Sequence, residues 1–149
     1  MPQSAFNVDS RDGEVSELND NARVARVFVD AMNAGNLEAL DQLFTDDVVL
    51  EWPQSNEKIV GNADRREIYS RFPVLPTITN PRFVETGDLM VLEADLDYGD
   101  GNAYQTVFIF RMRDGLIAHE TAYWAQPFPA AEWRADRVQP IRAESTPPQ

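Results

Sequence analysis

The chain has 149 residues, 43% of them hydrophobic, contains no cysteine and carries a formal net charge of -12. This length suits one domain with its own core, and the lack of cysteine excludes disulfides, thiolate chemistry and cysteine-bound metals. Phosphate backbones and anionic membranes repel so acidic a chain, which makes nucleic acids and membranes poor candidates as partners. No apolar run reaches the ~20 residues that span a bilayer and no secretion signal is seen, so the expected location is the cytoplasm.

The N-terminal part of the domain predicts two helices. Apolar residues recur with helical spacing over residues 24–32. Gly35 follows, and glycine is the residue best suited to the left-handed position that ends a helix. Asn36 can then cap a short second helix, which the pair Asp46-Asp47 is expected to end.

A strand, a loop and a third helix come next. Residues 48–52 predict a strand, and Pro53 is expected to end its pairing because proline has no backbone donor. Gly61 and Asn62 precede a third helical pattern over residues 63–72. The prolines that follow, the last of them Pro81, predict an extended connection.

The second half of the chain predicts an antiparallel meander. Strand patterns cover residues 82–85, 89–98, 104–113 and 116–126, separated by glycine-bearing turns. Three N-terminal helices packed on a curved, mostly antiparallel sheet make an α+β fold.

The domain limits follow from the same patterns. Residues 1–18 are polar and without period, which is typical of a mobile arm. The folded domain is expected over residues 19–138, and the proline-rich residues 139–149 are expected to form a disordered tail.

Two central strands predict which side chains face inward. Side chains alternate along a strand, so Glu93, Asp95 and Asp97 share one face, which is expected to meet solvent or a partner since burying three carboxylates is costly. A cation site at these acids is disfavoured because side chains on one strand point in parallel and seldom converge on an ion. In the next strand both faces are apolar, and the face with Gln105, Val107 and Ile109 predicts a homodimer. The inward apolar set of the first strand is Leu92, Ala94, Leu96 and Tyr98.

Several motifs resemble a known fold family. AMNAGNL, LFTDDVVLEWP and ADRREIY are similar to the first half of ketosteroid isomerases, and the order of elements resembles the nuclear transport factor 2-like superfamily. EWPQSNEK and YWAQPFPAAEWR resemble an uncharacterised branch of the SnoaL-like domain group, which includes polyketide cyclases. The resemblance implies a cone-shaped fold built around one deep small-molecule pocket.

The residues that these families use are missing from this chain. In the resemblance, Trp52 matches the aspartate base of ketosteroid isomerase, while Phe28 and Phe108 match its two oxyanion donors. Neither tryptophan nor phenylalanine can do those tasks, so isomerisation by those groups is excluded. Ala122 matches both the acid/base aspartate of SnoaL cyclases and an aspartate of limonene epoxide hydrolases, and Asp95 matches the arginine of the latter.

One carboxylate is predicted inside the cone. By the resemblance, pocket positions lie five, seven and nine residues after Gly115, at Glu120, Ala122 and Trp124, and His119 points away. A glutamate among aromatic residues should have a raised pKa, which suits a proton shuttle. The predicted catalytic residues are Glu120 and Tyr104. The predicted substrate-binding residues are Phe28, Trp52, Tyr69, Leu96, Tyr98, Thr106, Phe108, Ala122 and Trp124.

Structural readings of these residues stay open. Glu120 could instead accept a hydrogen bond from Tyr104 or pair with Arg65 or Arg134. Glu51 and Glu57 could line the pocket mouth or merely cap a turn. Trp133 is expected to be buried as a latch that closes the cone.

The sequence thus predicts a small-molecule enzyme with an apolar, aromatic pocket. It would do acid/base chemistry of the isomerase, cyclase, dehydratase or hydrolase type on a hydrophobic metabolite, with no cofactor and no metal. The alternatives are a non-catalytic binding module and a dimerising scaffold.

Overall fold

A computed structural model of the chain describes residues 20–142. The predicted arm at residues 1–18 and residues 143–149 of the predicted tail lie outside the described residues. The described elements are α1 (Asp20–Ala34), α2 (Leu37–Asp41), β1 (Phe44–Trp52), β2 (Glu57–Val60), α3 (Asn62–Ser70), β3 (Thr77–Thr86), β4 (Leu89–Asp97), β5 (Ala103–Arg113), β6 (Leu116–Ala125) and a 3-10 helix (Glu132–Arg137).

The first helix ends at the predicted glycine and the second begins at the predicted cap, but α2 ends at Asp41, before the predicted stop at Asp46-Asp47, because the chain enters β1 at Phe44. Gly35 follows α1 with a φ of 65°, a conformation in which a β-carbon would be strained. Asn36 caps α2, since its side chain accepts a hydrogen bond of 3.0 Å from the backbone N–H of Ala39. Phe28 on α1 and Leu40 on α2 are completely buried, so both helices turn their apolar faces to the core.

The first strand is longer than predicted, and it has a partner that the sequence pattern did not reveal. β1 begins at Phe44, and the exposed residues Asp46 and Asp47 lie within it, where its register against β6 shifts. The shift keeps both acids in solvent without ending the strand. A four-residue turn then leads into β2, with Asn56 at a φ of 60°, so the predicted loop is the turn of a hairpin.

The six strands form one open sheet in the order β2-β1-β6-β5-β4-β3. β1 runs parallel to β6 and the other neighbours are antiparallel. β3 begins at Thr77 and contains Pro81, because a register shift between Thr79 and Arg82 accommodates the proline. The predicted α+β architecture is therefore confirmed.

The core lies between the helices and the inner face of the sheet. Phe28 makes edge-to-face contacts with Phe108 and Phe110, at ring-centre distances of 5.3 and 5.1 Å. The predicted inward set of β4 is buried or half-buried. Within residues 20–142, no helix is long and apolar enough to cross a membrane; the cytoplasmic location stays a prediction.

Two expectations about single residues are wrong. Asp95 is only 5% exposed, although its face is expected to meet solvent or a partner and not to be buried within the chain's own fold. In the irregular part of β3, the side-chain amide of Asn80 donates a hydrogen bond of 2.9 Å to Oδ2 of Asp95, and Arg142 lies 3.4 Å from the same oxygen. These polar partners replace water. Trp133 is 80% exposed and no latch forms, since the 3-10 helix places its ring against the guanidinium of Arg134.

Candidate functional site

An apolar cavity opens between the inner face of the sheet and the helices. Its volume is about 70 Å³, roughly half that of a cavity of ~150 Å³ known to bind benzene. Its walls are almost entirely apolar or aromatic. The lining residues are Met32, Trp52, Tyr69, Phe72, Pro76, Leu96, Tyr98, Phe108, Glu120, Ala122 and Trp124.

Glu120 is the carboxylate that lines this cavity. β6 places it on the inner face, between Leu50 of β1 and Phe110 of β5. It is completely buried, and neither carboxyl oxygen has a hydrogen-bond partner within residues 20–142. Burial raises the pKa of Glu120 to about 8, although the positive charge of Arg65 lowers it in part. Glu120 is therefore mainly protonated at pH 7.

Aromatic rings surround Glu120 in contacting pairs. Trp52 and Trp124 stand at the ends of β1 and β6 and meet edge to face, with ring centres 5.5 Å apart. Tyr69 of α3 and Phe72 stack at 5.6 Å on the helical side. Both tryptophans are partly exposed, so this end of the cavity reaches the surface.

Two tyrosine side chains supply the other hydroxyl groups of the lining. Burial raises the pKa of Tyr69 well above its usual value, and the nearby Glu120 contributes to the rise. Burial likewise raises the pKa of Tyr98. Near neutral pH the cavity therefore presents uncharged O–H groups and aromatic surface.

A buried arginine stands behind Glu120. Arg65 of α3 is completely buried, and its guanidinium lies 4.4 Å from the ring centre of Phe44 and 5.0 Å from that of Tyr69. It donates hydrogen bonds to Asn62 at 2.6 Å and to Asp41 at 2.8 Å. Of the two arginines that the sequence offered as partners of Glu120, the structure places Arg65 within electrostatic reach.

The structure brings most of the predicted site residues together but leaves three outside. Phe28 is buried in the core between Phe108 and Phe110. Thr106 is buried, and its hydroxyl donates to the carbonyl of Tyr123 at 2.8 Å. Tyr104 donates its hydroxyl to an exposed Asp100 carboxylate at 2.8 Å, so it is not a partner of Glu120. The predicted residues that do line the cavity are Trp52, Tyr69, Leu96, Tyr98, Phe108, Glu120, Ala122 and Trp124.

Three lining residues escaped the sequence reasoning. Met32 belongs to the apolar face of α1, which marks it as buried without saying against what. Phe72 ends the predicted third helical pattern, which marks it as apolar-facing without saying against what, and Pro76 lies in the connection after α3 and carries no periodic signal. Their roles depend on how that connection folds back over the cavity.

The remaining polar candidates lie away from the cavity lining. His119 Nε2 is 3.4 Å from an Oε2 atom of Glu51. Ser55 donates its hydroxyl to Glu57 at 2.7 Å, which fits the capped-turn reading of that loop. In the part of the chain from residue 20 to 142, no group of three or more His, Asp or Glu side chains is placed to hold a metal ion.

Comparisons with known proteins identify the fold and the family. A protein of unknown function from Burkholderia xenovorans LB400, described as NTF-2 like, is 29% identical with a TM-score of 0.75, over 85% of this chain and 99% of that one. A ketosteroid isomerase candidate from Kribbella flavida is 26% identical with a TM-score of 0.75, over 84% of this chain and 92% of that one. An LEH-like epoxide hydrolase from M. tuberculosis, 19% identical, shares the fold with a TM-score of 0.60, over 70% of this chain and 82% of that one.

These structures confirm the nuclear transport factor 2-like fold, and enzymes of several kinds stand among the relatives. No match to this chain is found among the curated proteins. The SnoaL-like domain profile matches residues 25–120, which span α1 to the middle of β6. The chain belongs to the SnoaL-like domain family.

Proposed function

We propose that the protein is a cofactor-free enzyme that transfers a proton to or from a small, mostly apolar molecule held in the cavity. Glu120 is the proton-transferring group. The observation that carries this proposal is a completely buried carboxyl group in a wall of aromatic rings, without a hydrogen-bond partner in the part of the chain that the structure describes. A buried carboxyl group with a purely structural role is normally hydrogen-bonded, because burying it without a partner costs free energy.

The protonation state of Glu120 decides the direction of its chemistry. With a pKa of about 8 it donates a proton at pH 7 and accepts one more readily as the pH rises. In a typical step the carboxylate removes a proton from the carbon next to a carbonyl, giving an enol or enolate and a neutral Glu120. The hydroxyl groups of Tyr69 and Tyr98 are the donors available to the substrate oxygen, in place of Tyr104.

The cavity volume narrows the substrate class. A space of about 70 Å³ holds a few heavy atoms, well below the 300–1,000 Å³ typical of drug-sized ligands. A steroid or a polycyclic polyketide therefore does not fit this arrangement of side chains. We propose a short or small cyclic carbonyl compound, which also agrees with the uncharged lining.

Hydrogen exchange tests this function without knowledge of the natural substrate. Acetone, butanone and cyclopentanone are incubated with the protein in D₂O, and deuterium incorporation next to the carbonyl is followed by NMR. Exchange should rise with pH to a plateau above about 8 and fall by roughly 10²–10⁴-fold in Glu120→Gln. Tyr104→Phe is the matched control and should exchange as the wild type does. Equal rates in the wild type and Glu120→Gln would overturn the assignment of Glu120.

A binding module is the second candidate, favoured by one observation. The positions that resemble the aspartate base and the two oxyanion donors hold Trp52, Phe28 and Phe108, and Phe28 does not reach the cavity. Such a module would keep the raised pKa of Glu120 but would not exchange hydrogen. A co-purified ligand, identified by mass spectrometry and recovered unchanged after incubation, would support it.

We also propose that two copies pair through the outer face of the sheet, which is the predicted homodimer. Val107 and Ile109 remain half-buried on this face and Tyr123 is 45% exposed. Apolar groups in this arrangement gain from a second copy of the same surface.

A further inference from the structure

A pair of charges connects the protein surface to the cavity. Asp41 ends α2 with a side chain that is 24% exposed, and its Oδ1 atom accepts a hydrogen bond of 2.8 Å from Arg65. Arg66, which is half-exposed, holds the other oxygen of Asp41 at 2.7 Å. The inner end of this network is the guanidinium of Arg65, which lies 5.0 Å from the ring centre of Tyr69, a residue that lines the cavity together with Glu120. Its positive charge lowers the pKa of Glu120 in part.

The position of Arg65 is fixed from several sides. Its guanidinium lies against the rings of Phe44 and Tyr69, its Nε donates to Asn62, and Asn62 in turn donates to the backbone carbonyl of Asp41 at 3.0 Å. One terminal nitrogen, Nη1, has no hydrogen-bond partner among the described residues. A cation held in this way keeps a constant distance from the cavity, and its field is weakly screened because the surroundings are apolar.

We infer that Asp41 is a positioning residue that acts through Arg65: its carboxylate offsets the charge of Arg65 and thereby sets how much of Glu120 carries a proton. The inference rests on the proposed role of Glu120 as the proton-transferring group. Arg65 alone would favour the carboxylate form of Glu120. With Asp41 bound to it, part of that field cancels, and burial is left to keep the carboxyl group protonated.

The other ionisable groups around Glu120 are uncharged near neutral pH or lie outside the cavity lining. The Asp41–Arg65 pair is therefore the one expected to control the protonation of Glu120. Tyr69 of α3 and Tyr98 of β4 face the cavity, and both stay neutral in the physiological range because burial raises the pKa of each. The strand neighbours of Glu120 are Leu50 and Phe110, which do not ionise. His119 and Glu51 contact each other outside the cavity lining.

Titration of Glu120 in the full-length protein tests the inference independently of turnover. The carboxyl ¹³C resonance of Glu120, assigned by its loss in Glu120→Gln, is followed by NMR against pH. Asp41→Asn should lower the pKa of Glu120 by about one unit, since Arg65 is then uncompensated. The pH profile of hydrogen exchange should move by the same amount. Glu67→Gln, which removes one carboxylate from the exposed face of the same helix α3, should leave both unchanged.

A purely structural tie between α2 and α3 predicts a different result. In that case Asp41→Asn lowers the melting temperature and leaves the pKa of Glu120 where it was, which would overturn the inference. If Asp41→Asn does not fold, Arg66→Gln takes its place: freeing Asp41 from Arg66 should raise the pKa of Glu120 by a few tenths of a unit, and no rise would also overturn it. A shift in pKa without any hydrogen exchange would refute the proposed enzyme and leave this electrostatic control intact.

Discussion

Two buried carboxyl groups, one on each face of the same sheet, behave in opposite ways. Glu120 on the inner face has no hydrogen-bond partner among the described residues, and burial raises its pKa to about 8. Asp95 on the outer face is also buried, and desolvation opposes its ionisation too. Hydrogen bonding by Asn80 and the charge of Arg142 nevertheless outweigh that cost and lower the pKa of Asp95. The partners, and not burial alone, decide whether a buried acid is charged.

The largest expected effect comes from removing the charge that Glu120 can acquire. Its folded pKa of about 8 lies above the ordinary glutamate value of 4.5, so its contribution to stability is full below pH 4.5 and is lost as the pH rises through 8. Glu120→Gln should therefore unfold at a higher urea concentration than the wild type at pH 8.5. Its free energy of unfolding should be higher by about 3 kcal/mol, and this difference should shrink at pH 5. Urea unfolding at both pH values measures it. A constant difference would mean that Glu120 does not titrate abnormally.

A charge on the outer face should separate the proposed dimer. Val107→Glu places a carboxylate of each subunit at the proposed interface, and such like-charge contacts cost about 2–4 kcal/mol. Sedimentation or light scattering should then report monomers at micromolar concentration. Val74→Glu is the control, since Val74 is 61% exposed in the connection after α3 and lies off the sheet. A wild-type protein that is monomeric at these concentrations would contradict the proposed dimer.

Enlarging the inner cavity should cost stability and admit larger ligands. Phe72 lines the cavity and stacks on Tyr69, and its loss should cost about 2 kcal/mol because the ring is only half-buried. Phe72→Ala should bind cyclohexanone more tightly than the wild type, and Phe72→Leu should fall between them. Quenching of Trp52 and Trp124 fluorescence measures the binding. Unchanged affinity across the series would show that Phe72 does not limit ligand size.

The smallest effect is expected at the partner of Asp95. Arg142 is 59% exposed, so its ion pair should contribute only about 0.5 kcal/mol. Because the pKa of Asp95 is lowered, its contribution is present above the unfolded value near 4 and is lost as the pH falls through the folded pKa. Arg142→Gln should therefore reduce stability at pH 7, and the difference from the wild type should be smaller at pH 3. Thermal unfolding at the two pH values checks the sign.

The sequence predicts best what local signals encode. Gly35 and the cap at Asn36 mark helix ends through their own backbone preferences. The alternation of β4 and β6 assigns Leu96 and Glu120 to the inner face because side-chain direction has a period of two. The family resemblance places the pocket residues of the last strand by counting from Gly115, and Glu120 lies where that count predicts it.

What the sequence missed depends on contacts between distant segments. The early start of β1 requires pairing with β6, since Asp46 and Asp47 look locally like a helix stop or a turn. Alternation predicts which face of the sheet a residue lies on, but not whether it reaches the cavity. Thr106 is therefore predicted to line the cavity, whereas its hydroxyl donates a hydrogen bond to the backbone of β6. Arg65 was a candidate partner of Glu120, but its link to Asp41 exists only once α2 packs against α3.

The parallel pairing of β1 with β6 has a consequence for how the chain folds. The backbone N–H of Ile117 donates to the carbonyl of Leu43 at 2.8 Å, and Leu50 stands beside Glu120. The two strands are far apart along the chain, and closing so long a loop is slow. Because Glu120, Ala122 and Trp124 all come from β6, the pocket is completed only when this last strand docks. Ligand binding during refolding should therefore follow the slowest kinetic phase, whichever earlier elements have already formed.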